Sequence, residues 1–415
     1  MTTMKGLGAL CLLLGSILLS TPLGASTADR DGTAISPLDG KVSDRAVAAV
    51  LPVTPVLKPD GSKWRVGYYE GGQYRDYEVI LKATLRGLMA LGWIEELALP
   101  PENNPEPGGF WRWFSENVRS DFLEFPADAW YAAGDFDPVR RPVVVNELVT
   151  RLNEQEDIDL VIAMGTWAGQ DLSSAAIRTP VVVGSTSDPV ASRIVLAADD
   201  SGRDHLHAKT EPGRYGRQVE LFHDIFGFQR LGLVFEDSEE GRSFAAVTEI
   251  EAIAAERDFE IVTCNAPFNG VAPETAVEGA VACYAEIATQ ADAVYITVHR
   301  GVTPWSLPRI IQSLLAAGRP SFSMLGEEEV RQGALMSIAQ LNYIYVGRFH
   351  AETIARIFNG ALPRALPQAW QAPSKIAINL ETAQRIGYAP EVDILMASDE
   401  IFAEITPPPE APPAR

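Results

Sequence analysis

Apolar runs alternate with loops of small polar residues along most of this chain, and the clearest alternation lies between Asp159 and Val195. Leu160-Val161-Ile162-Ala163-Met164 is apolar at every position, the pattern of a strand buried on both faces of a parallel sheet. Gly165 then permits a sharp turn, and Thr166 is suited to cap a helix over Trp167 to Ala176. Val181-Val182-Val183 forms the next strand and opens into the polar loop Gly184-Ser185-Thr186-Ser187-Asp188-Pro189. Such strand–loop–helix units build doubly wound sheets, whose loops collect at the carboxyl ends of the strands, where ligands bind.

The same alternation begins earlier and restarts later. Trp64 to Tyr69 reads as a strand, Glu70 to Tyr74 as a loop, and Arg75 to Leu91 as a helix with Leu81, Leu85 and Leu88 on its packing face. A Pro/Asn/Gly stretch from Pro100 to Gly109 precedes the aromatic cluster Phe110-Trp111-Arg112-Trp113-Phe114, suited to cover the edge of a lobe or, alternatively, to form a ligand wall. A strand around Asp121 to Tyr131 and a helix around Pro142 to Asn153 lead into the central stretch. After a polar crossing at Ala197 to Gly202, the pattern predicts strands at Leu231–Phe235, Phe259–Cys264, Ala293–Thr297 and Pro320–Met324, with helices between them. A second crossing near Gly333 to Ser337, a helix over Tyr343–Phe358 and a strand over Ser374–Ile378 complete the body. Two α/β lobes of one design, each with polar loops at its strand ends, imply a cleft between them. The expected boundaries put residues 64–199 and 325–372 in lobe 1, and 200–324 and 373–405 in lobe 2.

Composition narrows this picture. A chain of 415 residues with 47% hydrophobic and 21% charged residues fits a globular protein of two domains. A formal charge of −21 argues against nucleic acid or an anionic membrane surface as partner. Residues 1–26, with Lys5, the apolar run Leu7 to Leu19 and the small residues Gly24-Ala25-Ser26, read as a signal peptide, the run being short for the alternative of an uncleaved anchor helix. The mature protein is therefore expected to be periplasmic or otherwise secreted. Residues 27–63 read as a flexible tether, and 406–415 as a Pro-rich disordered tail. Cys264 and Cys283 remain after cleavage, as a disulfide permitted by an oxidising compartment or as two buried thiols.

The strand-end loops supply the candidate binding groups. Thr166 and the amides after Gly165 form a helix N-terminus suited to a carboxylate, or an ordinary cap. Ser185, Thr186 and Asp188 can take hydroxyl or ammonium groups, although Asp188 before Pro189 also suits a turn. The Arg300 guanidinium, after His299, can grip a carboxylate with two parallel hydrogen bonds; its rival role is a surface salt bridge. Tyr69, Tyr74 and Trp167 offer faces for stacking on a flat ligand, with Trp167 alternatively packed under its own helix. Glu70 and Asp237 can receive a cation or amine, or serve as solvated acids of an edge loop, and the adjoining Ser238 is a further candidate for ligand binding. His205 and His207 alternate on a strand beside Asp204 without a further ligand cluster, so a structural role and no metal are expected. No nucleophile elbow, zinc-protease or phosphate-loop pattern occurs, so no catalytic residue, no cofactor and no enzyme activity are expected.

Over residues 64 to 404 the chain resembles a known family. Its marks are DLVIAMGTWAGQ, TPVVVGSTSDPV, ADAVYITVHRGVTPWSLPRIIQSLLAAGRPSFS and RQGALMSIAQLNYIYVGRFHAETIARIFNGALP, followed by KIAINLETAQRIGY. These are similar to the extracytoplasmic substrate-binding proteins of ABC transporters, in the subgroup associated with tryptophan or tyrosine uptake. The resemblance implies a type I periplasmic-binding-protein-like fold, with two Rossmann-like lobes and parallel sheets joined by three hinge crossings. It also implies a monomer that closes on a small ligand, an amino acid or other small carboxylate, and delivers it to an ABC permease in the inner membrane. The chain departs from the family at Val298-His299-Arg300, where an Asp-Asn-Thr-like loop is usual, and at Asn342, where an Asp is usual. Asn342 lacks the charge that would pair with an amino group, so aromatic amino-acid specificity does not transfer. A receptor serving a membrane sensor kinase, or an enzyme on the same fold, would share these features. The export signal and the lack of a basic headpiece argue against a LacI-type regulator.

Overall fold

A computed structural model describes residues 51–101, 106–174, 176–340, 343–371 and 373–408. The expected signal peptide, the tether up to residue 50 and the tail from residue 409 lie outside the described residues.

The first sheet grows from the apolar runs read above. In chain order its elements are β1 (Trp64–Glu70), α1 (Arg75–Ala90), α2 (Gly109–Asn117), β2 (Leu123–Glu124), β3 (Trp130–Ala132), α3 (Arg141–Thr150), β4 (Leu160–Met164), α4 (Gly165–Ser174), β5 (Val181–Gly184) and β6 (Leu206–Ala208). The strand order is β2-β1-β4-β5-β6, β3 also pairs with β1, and every pairing is parallel. β4 shows why an all-apolar strand is needed at the centre. Leu160, Ile162 and Met164 join the core on one face, while Val161 and Ala163 join the core on the other.

The second lobe repeats the plan. It contains α5 (Arg214–Phe226), β7 (Arg230–Phe235), α6 (Glu239–Phe244), α7 (Val247–Arg257), β8 (Glu260–Asn265), α8 (Pro273–Gln290), β9 (Ala293–Ile296), α9 (Leu307–Ala316), β10 (Ser321–Ser323), α10 (Glu327–Arg331) and β11 (Met336–Gln340). The chain then forms α11 (Ile344–Phe358), β12 (Ser374–Asn379), α12 (Leu380–Arg385), α13 (Val392–Ala397) and β13 (Glu400–Phe402). The order is β13-β12-β11-β10-β9-β7-β8, parallel except between β11 and β12. The antiparallel pair follows from the path of the chain. After β11 it crosses to the first lobe, where Val346, Ala351, Ile354 and Phe358 of α11 join the core with Leu81, Leu85 and Leu88 of α1. It then returns as β12. The crossings thus follow β6, β11 and α11.

Pairing moves the lobe boundaries from those expected. Leu206–Ala208 hydrogen-bonds to β5 and lies in the first sheet, so the first crossing comes after residue 208 instead of at 199. Met336–Gln340 lies in the second sheet, so the second crossing comes after residue 340 instead of at 324. The polar stretch at Ala197 to Gly202 is a loop within the first lobe, and Gly333 to Ser337 runs into the buried strand β11. Residues 51–63, expected to belong to a tether, lie along the first lobe: Trp93 Nε1 donates to the Val53 carbonyl at 2.8 Å, and Trp64 Nε1 to the Val56 carbonyl at 2.7 Å. Cys264 and Cys283 form a disulfide between β8 and α8, with Cα atoms 5.4 Å apart. No helix among the described residues is long and apolar enough to cross a membrane.

Candidate ligand site

The loops after β1, β4 and β5 meet those after β7, β8 and β9 along a seam between the lobes, and the lobes are shut upon it. Trp167 Nε1, from the first lobe, donates to Glu240 Oε2 of the second at 2.8 Å. Arg141 reaches the other oxygen of Glu240 at 3.4 Å. The Ser192 and Ser243 hydroxyls are 2.6 Å apart, and Arg193 pairs with Glu239 at 2.8 Å. The Arg300 guanidinium lies 3.1 Å from the ring centroid of Phe136, across the seam, in a cation–π contact.

Glycines in the first lobe let this seam form. Gly165 opens α4 with φ +86°, and a Cβ there would lie 1.8 Å from the Tyr77 hydroxyl, so the position requires both the conformation and the space of glycine. A Cβ on Gly72 would sit 2.6 Å from the Phe136 backbone nitrogen. That close approach sets Phe136 edge-on against Trp167, with ring centroids 5.6 Å apart, and aims its face at Arg300. Arg141 stacks over Trp167 at 4.3 Å and is held by Asp171 at 3.0 Å. Tyr69 also binds Asp171, its hydroxyl donating at 2.7 Å.

In the second lobe Glu236 is the hub. Its carboxylate accepts from the Phe268 and Asn269 amides, the Asn269 side chain and the Ser238 hydroxyl, at 2.6–2.8 Å. Burial works to raise its pKa, but these hydrogen bonds carry it below the usual carboxylate value. Asn269 in turn accepts from Arg300 at 2.9 Å and donates to Glu240 at 3.1 Å. Burial pushes Arg300 down to about 10, which leaves it cationic at neutral pH. His299 Nδ1 accepts from the Gly301 amide at 2.9 Å, so its Nε2 carries the proton and faces the Ala266 carbonyl at 2.9 Å. Burial lowers the His299 pKa, and the neutral ring braces the loop that carries Arg300.

The remaining sequence candidates scatter. Glu70 is buried at the end of β1, accepts from the Tyr68 hydroxyl at 2.7 Å, and is pushed up to about 7 by burial. Thr166 is buried within α4. Ser185 adopts φ +56°, and the Thr186 hydroxyl is buried without a hydrogen-bond partner among the described residues. Asp188 accepts from the Val190 and Ala191 amides at 3.0 and 2.9 Å, which fixes the turn. Ser238 caps α6, accepting from the Gly241 amide at 3.0 Å, and Asp237 is exposed. Asn342 lies outside the described residues. His207 is buried against the Pro367 carbonyl at 3.0 Å, and His205 contacts the Leu172 carbonyl at 3.1 Å. No cluster of three or more potential metal ligands occurs among the described residues.

The seam also uses residues that the sequence reading passed over: Phe136, Arg141, Glu236, Glu240 and Asn269. The only signal available for Glu240 was its place in the acidic loop Glu236 to Glu240, where each acid had an equal claim. Nothing local marks Phe136 or Asn269.

Residues 144–401 match the family model described as ABC transporter substrate binding protein. A search of curated proteins finds no significant match. Among solved structures, the chain is similar to a conserved domain protein from Vibrio cholerae O1 biovar El Tor, at 19% identity and TM-score 0.61, covering 82% of this chain and 100% of that one. An ABC domain in complex with L-Trp from Streptococcus pneumonia gives 18% identity and TM-score 0.62 over the same shares. A ligand-free, open substrate binding protein with adhesive properties from Clostridium difficile gives 16% and 0.55, again over 82% and 100%. Identities this low speak to the shared fold alone.

Proposed function

Because the chain belongs to the family of ABC transporter substrate binding proteins, we propose that it captures a small molecule between its two lobes outside the cytoplasmic membrane and presents it to an ABC permease. The observation that carries this reading is the shut seam. Loops from the carboxyl ends of both parallel sheets face one another and are held by contacts that exist only when the lobes meet. Such a pair of lobes binds by population shift. A ligand that touches both lobes binds only the closed form, and its binding energy biases the equilibrium toward closure. No bond in the ligand is made or broken, and the residues of the seam act by positioning and enclosure.

The ligand class favoured is an amino acid or another small carboxylate. Within a seam that also carries the Glu236 and Glu240 carboxylates, Arg300 and the helix N-terminus at Gly165–Thr166 are the groups suited to an anionic group. A thermal-shift screen of the mature protein against amino acids, small carboxylates, nucleosides and sugars tests the reading, because a ligand bound only by the folded state raises the melting temperature. A hit that is recovered chemically unchanged is the expected result. A hit that is consumed would replace binding with catalysis, and no hit in any class would contradict solute capture.

A further inference from the structure

Arg300 is already engaged, by Phe136 across the seam and by Asn269 beside it. A second arginine sits differently. Arg214 is the first residue of α5, directly after the crossing from β6, and its guanidinium lies 5.0 Å from the ring of Tyr215. Tyr295 and Tyr343 are also within its electrostatic reach. Arg141 and Arg151, by contrast, are held by carboxylates, Arg141 by Asp171 and Arg151 by Asp157. Arg214 has none among the described residues. The nearby acid Glu211, which pairs with Lys209 at 3.0 Å and with Arg217 at 3.8 Å, attracts Arg214 only from a distance.

The surroundings of Arg214 come from both lobes. Tyr343 ends the second crossing and hydrogen-bonds to Asp76 at the start of α1, where Tyr74 and Tyr77 pack edge to face at 5.3 Å. Tyr77 reaches Gly165, and Tyr215 sits beside Ser187 of the loop after β5. A guanidinium beside the Tyr215 ring, within electrostatic reach of Tyr295 and Tyr343 and attracted by Glu211 without an ion pair to it among the described residues, retains the donor fork that grips a carboxylate. We propose that Arg214 receives the carboxylate of the bound solute, while Arg300 serves as the latch that closes the lobes over it. This rests on the reading of the protein as a solute-binding receptor and assigns one residue within that site.

The test is calorimetric titration of the mature wild-type protein, Arg214→Gln and Arg214→Lys with matched compounds that differ only in their carboxylate. The pairs are L-tryptophan and tryptamine, L-tyrosine and tyramine, and hydrocinnamate and 3-phenylpropan-1-ol. The wild type is expected to favour the carboxylate member of at least one pair, and Arg214→Gln to lose about 30-fold or more of that affinity, the usual effect of truncating one side of a buried charge pair. Its affinity for the decarboxylated partner should change little. Arg214→Lys should retain part of the preference, because it keeps the charge and loses the fork, and it carries the test if Arg214→Gln does not fold. Carboxylate binding that survives both substitutions, or wild-type binding indifferent to the carboxylate, overturns the assignment and leaves solute binding intact. Failure of the wild type to bind any of these compounds overturns the assignment. If the broader screen of sugars and nucleosides is also blank, the receptor reading falls with it.

Discussion

Replacing Glu240 with glutamine isolates the contacts that hold the lobes together. Glu240 accepts from Trp167 Nε1 at 2.8 Å and from Asn269 Nδ2 at 3.1 Å, and pairs with Arg141 at 3.4 Å. Only the Trp167 and Arg141 contacts cross the seam. A hydrogen bond to a charged acceptor contributes about 1.5–3 kcal/mol, against about 0.5–1.5 kcal/mol for a neutral one. The Arg141 pair, with each side chain about one-fifth exposed, adds about 0–1 kcal/mol. Glutamine keeps one neutral acceptor for Trp167 and abolishes the ion pair, so the closed state loses about 1–2 kcal/mol relative to the open one. If ligand binds only the closed form, its apparent Kd rises as the closed fraction falls, by up to about 5- to 30-fold. Titration with the tightest member of the screened panel reads the affinity, and small-angle scattering of the ligand-free variant should report a larger radius of gyration. A Kd within about twofold of wild type, with an unchanged scattering curve, would refute the idea that Glu240 holds the lobes shut.

Three further outcomes follow from the fold. Gly165→Ala forces a Cβ to within 1.8 Å of the Tyr77 hydroxyl at φ +86°, and should cost about 1–3 kcal/mol; an unchanged unfolding midpoint would mean that Tyr77 yields freely. His207 and His350 are pushed down by burial to about 4 and about 3, His350 further by the neighbouring His207 and Lys209, whereas an unfolded imidazole titrates near 6.5. The unfolded chain therefore takes up protons first as pH falls below about 6.5, and each histidine removes on the order of 2 kcal/mol of stability by pH 5. Glu70, raised to about 7, works in the opposite direction over that window, so the clean reading is the flatter acid limb expected of His350→Gln; a slope equal to wild type would contradict it. Reducing the Cys264–Cys283 disulfide, which closes a segment of sequence separation 19, should lower stability by about 3 kcal/mol in chemical denaturation with and without reductant; coincident curves would show that the bridge adds nothing.

Much of the architecture was legible because burial on both faces of a parallel strand leaves a signature. The β4 run Leu160 to Met164 and the turn at Gly165 could be read directly, as could the restart at Leu231. Short strands were harder. β6 has three residues, two of them Leu206 and Ala208 around a histidine, and its place beside β5 is decided by pairing that no local pattern encodes. The site shows the same limit. Arg300 was recognisable as a cation at a strand end, but its partner Phe136 lies 164 positions away and is brought to it only by lobe closure. For Asp188, turn and ligand roles were equally compatible with the residues, and its bonds to the Val190 and Ala191 amides show the turn. Cys264 and Cys283 sit on a strand and a neighbouring helix, and spacing alone could not say whether their Cα atoms came within bridging distance.

The central claim is that a solute closes the two lobes, and it is tested most directly by small-angle scattering of the mature protein titrated with the tightest ligand from the screen. The account predicts a ligand-free population that includes an open form, a radius of gyration that falls saturably with ligand at the calorimetric Kd, and ligand returned unchanged. A ligand that binds tightly while Glu240→Gln, forced toward the open form, shows no contraction on saturation would contradict closure as the mode of capture.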